Sequence, residues 1–286
     1  MFGGGDPGIE GLVPSDIELR GNHITRPLAW RKRWQVKNLV ETKNVRRLLV
    51  EGNVIENTWS DAQAGFAFVM KSENQNWDTP WTETSDITIR YNRIRNVGSG
   101  FNIAANPSGA PAVPAARFVI TDNVMENVGT STYTGDGRLL QFLGAVADVV
   151  TMHNTMVGAY DGNSASMYFG ALPTLPRFVA HSNVLAHGNS GIKGDSYAEG
   201  TATLNVYATG ALVTNNAIAD GGSALTYPAN NFFPTTLSNV GFVDASSGNY
   251  RLSASSPYRG KGYDGRDIGP DMNQLDALTR NAVVAP

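Results

Sequence analysis

One pattern returns along the chain at intervals near thirty residues: apolar, any residue, apolar, two residues, Asn, any residue, apolar. It reads Ile17, Leu19, Asn22, Ile24, and returns as Leu48, Val50, Asn53, Ile55 and as Ile87, Ile89, Asn92, Ile94. It continues with Phe118, Ile120, Asn123, Met125, then Val149, Thr151, Asn154, Met156. The last two units are Phe178, Ala180, Asn183, Leu185 and Ala211, Val213, Asn216, Ile218. Successive asparagines lie 31, 39, 31, 31, 29 and 33 residues apart. A period of this size marks a stacked-repeat architecture, in which no unit buries its apolar face alone.

Within each unit apolar and polar residues alternate, which is strand period and not helix period. Ile87 and Ile89 point inward, and Thr88 and Arg90 point outward. A second short apolar strand precedes each unit: Phe66–Met70, Phe101–Ala104, Leu139–Leu143, Met167–Phe169 and Gly191–Lys193. Gly-, Asn- and Pro-rich stretches between them read as turns. The pattern predicts an all-β fold, a right-handed parallel β-helix of about seven coils. Strands stacked about 4.8 Å apart would make a rod on the order of 35 Å long. Asn22, Asn53, Asn92, Asn123, Asn154, Asn183 and Asn216 would then form a ladder, each amide donating to one neighbour and accepting from the other. Asn also tolerates the left-handed backbone that a tight bend needs. The competing fold is a two-sheet sandwich with frequent Asn turns, but hairpin strands have no reason to repeat at this interval.

Composition agrees with a solenoid. Gly and Pro make up roughly 16% of the chain, above the usual share, and charged residues fall well below theirs. No apolar run approaches the ~18 residues of a membrane helix. The opening residues carry neither the basic nor the apolar region of a signal peptide. With no Cys there is no disulfide framework and no thiolate chemistry. A net charge of −3 argues against nucleic acid as a partner.

Departures from the repeat mark the candidate functional segments. The longest interval places its surplus in residues 71–86, a loop with Trp77 and Trp81. Long loops on rigid scaffolds commonly carry function. Indole faces suit sugar rings, although both could instead fold down as a lid on the core. A second loop spans 129–137 and holds Asp136, and a third runs from Gly158 through Asp161 and Asn163. The coils are expected over 1–229, with 230–286 as a C-terminal capping segment and tail of one domain. The final stretch from Met272 is expected as a short helix or a frayed tail. Residues 1–14 read as too Gly- and Pro-rich to cover the first coil. An uncapped solenoid end exposes strand edges, so upstream coils or self-association through that end are expected.

Met1-Phe2-Gly3-Gly4, Asp6-Pro7, Gly11 to Ile17, Trp34 to Leu39, Val50-Glu51-Gly52-Asn53 and Asn231-Phe232-Phe233-Pro234 carry a family resemblance. Over nearly its whole length the chain resembles bacterial secreted β-helix proteins of the pectin lyase-like superfamily. The resemblance implies the fold, a carbohydrate-active setting, an extracellular or periplasmic location, and further coils upstream. It implies no particular reaction. The Trp-Ile-Asp-His and Arg-Pro-x-x-Arg segments of pectate lyases and the Gly-Arg-Pro-Trp segment of pectin methylesterases are absent. Ala186-His187-Gly188 and Gly191-Ile192-Lys193 echo polygalacturonase motifs but lie too close together to be equivalent, so no residue is carried over.

Two reactions suit such a scaffold. β-Elimination on a uronic polysaccharide needs a base for the C5 proton and a cation at the carboxylate. Glycoside hydrolysis needs two carboxylates about 5–10 Å apart. Lys37, Glu41, Lys71, Asn102, Arg138, Gln141 and Lys193 fall in or beside the strand preceding the Asn unit, and several would stack into a polar row. Lys71 and Arg138 are the candidate bases. Asp136 and Asp61 are a candidate carboxylate pair, and Trp77 and Trp81 candidate sugar platforms. The same row would also serve as an ordinary solvated face. His153 and His181 occupy equivalent places in consecutive coils, as a metal pair, a proton shuttle or turn packing. His23 and His187 lie in other phases. Asp264-Gly265-Arg266-Asp267 has oxygen-ligand character for calcium, against which stands a plain capping turn. The expected class is a polysaccharide lyase or hydrolase acting on an acidic polysaccharide, with elimination favoured. The alternatives are a non-catalytic glycan-binding or assembly β-helix and an inactive fragment of a larger enzyme.

Overall fold

The computed structural model describes residues 7–158, 164–171 and 175–283. The chain winds as a parallel β-solenoid whose turns contribute one strand to each of three sheets. Sheet I holds Ser15–Arg20, Val45–Glu51, Thr84–Arg90, Ala116–Thr121, Ala147–Met152, Val179–His181 and Leu212–Thr214. Sheet II follows after each ladder Asn, with His23–Thr25, Val54–Glu56, Arg93–Val97, Val124–Val128, Thr155–Gly158, Val184–Ala186 and Ala217–Ala219. Sheet III is formed by Val40–Thr42, Phe66–Lys71, Ser99–Ala104, Arg138–Leu143, Ala165–Gly170 and Ile192–Gly194. Where the repeat suggests seven coils, six are complete and the seventh contributes to sheets I and II alone. There the chain leaves the coil before a seventh sheet III strand forms.

The core is a bundle of vertical columns. In sheet II, Ile24, Ile55, Ile94, Met125, Met156, Leu185 and Ile218 stand in register. In sheet III, Val40, Phe68, Phe101, Leu140, Met167 and Ile192 do the same, with Phe68 and Phe101 stacked at 4.6 Å. Burying each such side chain contributes about 1.5–3 kcal/mol. In the first coil Ile17, Leu19 and Ile24 remain half-buried.

The amide ladder forms at the corner between sheets I and II. Each Oδ1 accepts from both the backbone N–H and the Nδ2 of the Asn one coil earlier, at 2.9–3.1 Å. Asn216 extends the ladder by the same two bonds to Asn231, a further rung that the repeat spacing hides. The left-handed residue at this corner is not the Asn. It is the preceding residue, Gly21, Gly52, Tyr91, Asp122, His153, Ser182 or Asn215, at φ between 51° and 67°. The amide itself is drawn inward, where it also donates to carbonyls such as those of Val50 and Arg90 from Asn92.

A second left-handed position lies six residues before each ladder amide, at Asp16, Arg47, Asp86, Arg117, Asp148 and Arg177. Their charges alternate in sign from coil to coil. Arg47 grips Asp16 through two bonds of 2.6 and 2.8 Å, and Arg117 grips Asp86 identically. Arg177 holds Asp148 in the same fork.

The C-terminal segment does more than cover the last coil. Phe232 bridges to Ala217 there. The chain then turns back and runs along the outer face of sheet II toward the first coils. Lys261 accepts from Asn215, Gly269 donates to the carbonyl of Ser182, Asp271 to the carboxylate of Asp122, and Asp276 pairs with Arg93. The stretch from Met272 is a helix, Met272–Thr279, N-capped by the Asp271 side chain. It reaches the second coil, where Gly52 leaves room for it: a Cβ there would meet Leu278 at 3.0 Å. A second helix, Thr201–Tyr207, was not foreshadowed by the repeat.

Candidate functional site

Sheet III carries the candidate site on its outer face. Its register stacks Glu41, Val69, Asn102, Gln141, Tyr168 and Lys193 in one outward column. Four of these are residues of the expected polar row. Gln141 donates to Asn102 at 3.0 Å and accepts from Arg138, whose guanidinium lies 3.5 Å from the ring centre of Tyr168. Asp136 stands 3.7 Å from Arg138. The Tyr168 hydroxyl donates to Asp195. Burial, and then the Asp195 carboxylate, push that phenol above its usual range. One continuous polar cluster therefore joins Asp136, Arg138, Gln141, Asn102, Tyr168 and Asp195. Arg138 keeps a buried Nε without a hydrogen-bond partner among the described residues.

Lys71 lies one outward position further along its strand. Its Nζ sits 3.0 Å from Glu73 and 3.9 Å from Glu41, and Asn38 donates to Glu41 at 3.1 Å. The two carboxylates lie no further apart than those two reaches laid end to end, about 7 Å. Lys71 is a paired cation, and to accept a proton it would first have to part from both. Of the expected carboxylate pair, Asp61 accepts from the backbone N–H of Val36 and Asp136 stands beside Arg138, whereas Glu41 and Glu73 bracket Lys71. Lys193 turns aside to the carbonyl of Tyr197. Lys37 lies ahead of its strand and outside the column, its carbonyl accepting from Arg26 and Thr58.

At the strand ends the loop holding Trp77 and Trp81 is closed by Asn74, whose Oδ1 accepts from Thr79 and whose Nδ2 bonds the carbonyl of Pro111. Trp77 is 65% exposed, so it is no lid on the core, while Trp81 is half-buried. Beside this loop a hollow of about 440 Å³ opens between Ala104, Pro107, Ala112, Pro114 and Leu143.

The remaining candidates have structural surroundings. The rings of His153 and His181 are 6.0 Å apart, close to the expected stacking distance. His153 is buried and bonds Gly269 and Asp264 of the returning segment. Both carboxylates of the calcium-like segment are occupied by N–H donors: Arg266 and His153 on Asp264, and Gly260 on Asp267. Burial works against ionisation of Asp264, but Arg266 and the His153 ring hold its carboxyl down to about 2. His23 and His187 pair with Glu56 and Glu199. Asp161 and Asn163 lie outside the described residues. Sequence reasoning missed Glu73, Tyr168 and Asp195. Tyr168 sits in the register of Gln141 and could have been found by extending the column. No family model matches the chain, and no curated protein matches it.

Proposed function

We propose that the chain is a carbohydrate-active β-helix protein whose sheet III face holds an acidic polysaccharide across its strands. The observation that carries this reading is the outward column Glu41, Val69, Asn102, Gln141, Tyr168 and Lys193, where five of six positions at the strand interval bear hydrogen-bonding side chains on a rigid scaffold. A regular array suits a regular polymer, and exposed Trp77 beside it offers an apolar face for a sugar ring. The resemblance to the pectin lyase-like superfamily supports the same reading, and with it an extracellular or periplasmic setting.

The chemistry we favour is β-elimination. Arg138 would face the uronate carboxylate and stabilise the charge that develops as the C5 proton leaves. Tyr168, kept protonated by its surroundings and paired with Asp195, would donate toward the leaving glycosidic oxygen. The acceptor of the C5 proton would be the Asp195 carboxylate beside Tyr168, because Lys71 stands three strands from Tyr168 in the sheet III register and is held by Glu41 and Glu73. The Glu41 and Glu73 carboxylates suggest a second reading, hydrolysis, since both contact one ammonium and so lie no more than about 7 Å apart, a limit compatible with a glycosidase pair.

The test mixes the protein with a panel of uronic polysaccharides. Elimination predicts rising absorbance at about 235 nm from the conjugated uronate, abolished in Arg138→Ala. New reducing ends without that absorbance, lost in Glu73→Gln, would select hydrolysis. Retention without either product would leave a glycan-binding β-helix, and no retention on any polymer would sink the reading.

A further inference from the structure

The chain has twenty-two Lys and Arg, and most have an acidic partner. The connection from sheet II to sheet III in the first coil is different. Arg31, Lys32, Arg33 and Lys37 enter no ion pair among the described residues, and no Asp or Glu occurs between Arg20 and Glu41. Two tryptophans frame the cations. The backbone N–H groups of Arg33 and Trp34 both donate to the carbonyl of Trp30, at 2.9 and 3.0 Å. Lys32 takes the left-handed conformation at φ 62° that closes this turn. The turn holds Trp30 and Trp34 at its base with Arg31, Lys32 and Arg33 between them. Trp30 is 43% exposed and Trp34 66%.

We infer that this turn is a binding site for a polyanionic glycan, an anchor outside the sheet III groove. Two large indoles exposed within one short turn form an apolar patch of the kind that marks interaction surfaces, and the solvated cations between them, with no acidic residue in this stretch of chain, make that patch locally basic. Both features lie in one ordered turn of a net acidic protein. The partner must supply negative charge and apolar surface at the same short spacing. A uronic polymer does so, because every sugar ring carries a carboxylate beside a C–H face. A bilayer fits less well: it sorts apolar groups inward and cations to the headgroups, which an amphipathic helix satisfies, whereas this turn intermixes them. The choice of a glycan over a nucleic acid rests on the reading of sheet III. The turn leads directly into Val40–Thr42, whose Glu41 begins the polar column, and Val36 at its end bonds Asp61 and Ala62 of the loop whose Ser60 in turn donates to the carbonyl of Tyr133. Tyr133 belongs to the loop that carries Asp136. The turn therefore stands on the flank of the groove, where a bound polymer would pass.

The experiment measures retention of the full chain on sodium polygalacturonate, neutral dextran, vesicles of equal parts phosphatidylcholine and phosphatidylglycerol, and oligodeoxythymidine, each over a salt series. The variants are Trp30→Ala/Trp34→Ala, Arg31→Gln/Lys32→Gln/Arg33→Gln, and the groove variant Arg138→Ala. Affinity for polygalacturonate is expected to fall about tenfold in each turn variant, with a shallower salt dependence in the cation variant. Dextran is expected not to be retained. Unchanged affinity in both turn variants, or tighter retention on vesicles or oligonucleotide than on polygalacturonate, would overturn the inference. Circular dichroism melts are expected to match the parent, since the substituted side chains are at the surface; a variant that melts early is replaced by its single substitutions. Product formation lost in Arg138→Ala with retention intact separates a failure of the anchor from a failure of the groove.

Discussion

Sheets II and III have the same strand interval and the same inward columns, but from the fourth coil onward their outer faces differ. Outward on sheet II, Val124, Val157, Val184, Ala217 and Ala219 are all buried, because the returning C-terminal segment covers them with Val240, Tyr250, Ile268, Met272 and Leu275. Outward on sheet III, Asn102, Tyr168 and Lys193 are half-buried, and Asn102 and Tyr168 join a polar cluster. Alternation fixes which residues face out; what those residues are tells whether the chain itself covers them. On the later coils of sheet II the outward aliphatic side chains are closed over by the chain itself, whereas the outward column of sheet III carries hydrogen-bonding groups.

The largest test of this contrast places one charge on each face. Val184→Asp buries an unpaired carboxylate beneath the returning segment and should cost several kcal/mol, read as loss of a cooperative unfolding transition. Asn102→Asp, on the open face, should leave the transition nearly where it was. Next, Leu275→Ala removes a fully buried side chain from the covering helix, and should cost about 2–5 kcal/mol in chemical denaturation. An unchanged midpoint would mean that the segment rests on sheet II without stabilising it.

Acid should loosen the same covering in two stages. Burial and the His153 ring hold His181 below its ordinary 6.5, so its contribution is whole above that pH and is lost as the pH falls through the lowered value. Asp264, held at about 2 against an ordinary 3.8, contributes fully above 3.8 and loses its contribution as the pH falls toward 2. Melting temperature followed against pH should decline through both windows. His181→Gln should flatten the first and Asp264→Asn the second. The smallest expected stability change is in Arg138→Ala, within about 1 kcal/mol, although the same variant should lose polysaccharide turnover. A large stability loss there would make the sheet III cluster a structural device like those on the covered side.

The inward columns and the amide ladder are legible in the sequence because one strand period and one amino acid recur in phase. Asn231 is hidden since the last turn collapses its spacing to fifteen residues. The left-handed corner is misassigned for a physical reason: the bend falls on the residue before the amide, where Gly, Tyr, Asp, His, Ser and Asn all occur and no single type signals it. The path of the C-terminal segment depends on contacts such as Arg93 with Asp276, far apart in sequence. One signal was available, since Val124 and Val184 are aliphatic at outward positions that solvent would have made polar. On sheet III the row of Glu41, Asn102, Gln141 and Lys193 follows from register alone, but the partners that bind it together, Glu73 and Asp195, lie in loops whose course periodicity does not set.

The alternation of Asp16, Arg47, Asp86, Arg117, Asp148 and Arg177 has an evolutionary consequence. Solenoids commonly grow or shrink by duplication or loss of whole turns. Here, excision of any single turn from the middle of the series would bring two carboxylates or two guanidiniums face to face. Only changes by two turns keep every fork matched. The smallest change in length that keeps the forks matched is therefore a doublet of some sixty to seventy residues, and natural length variants are expected to differ by that increment.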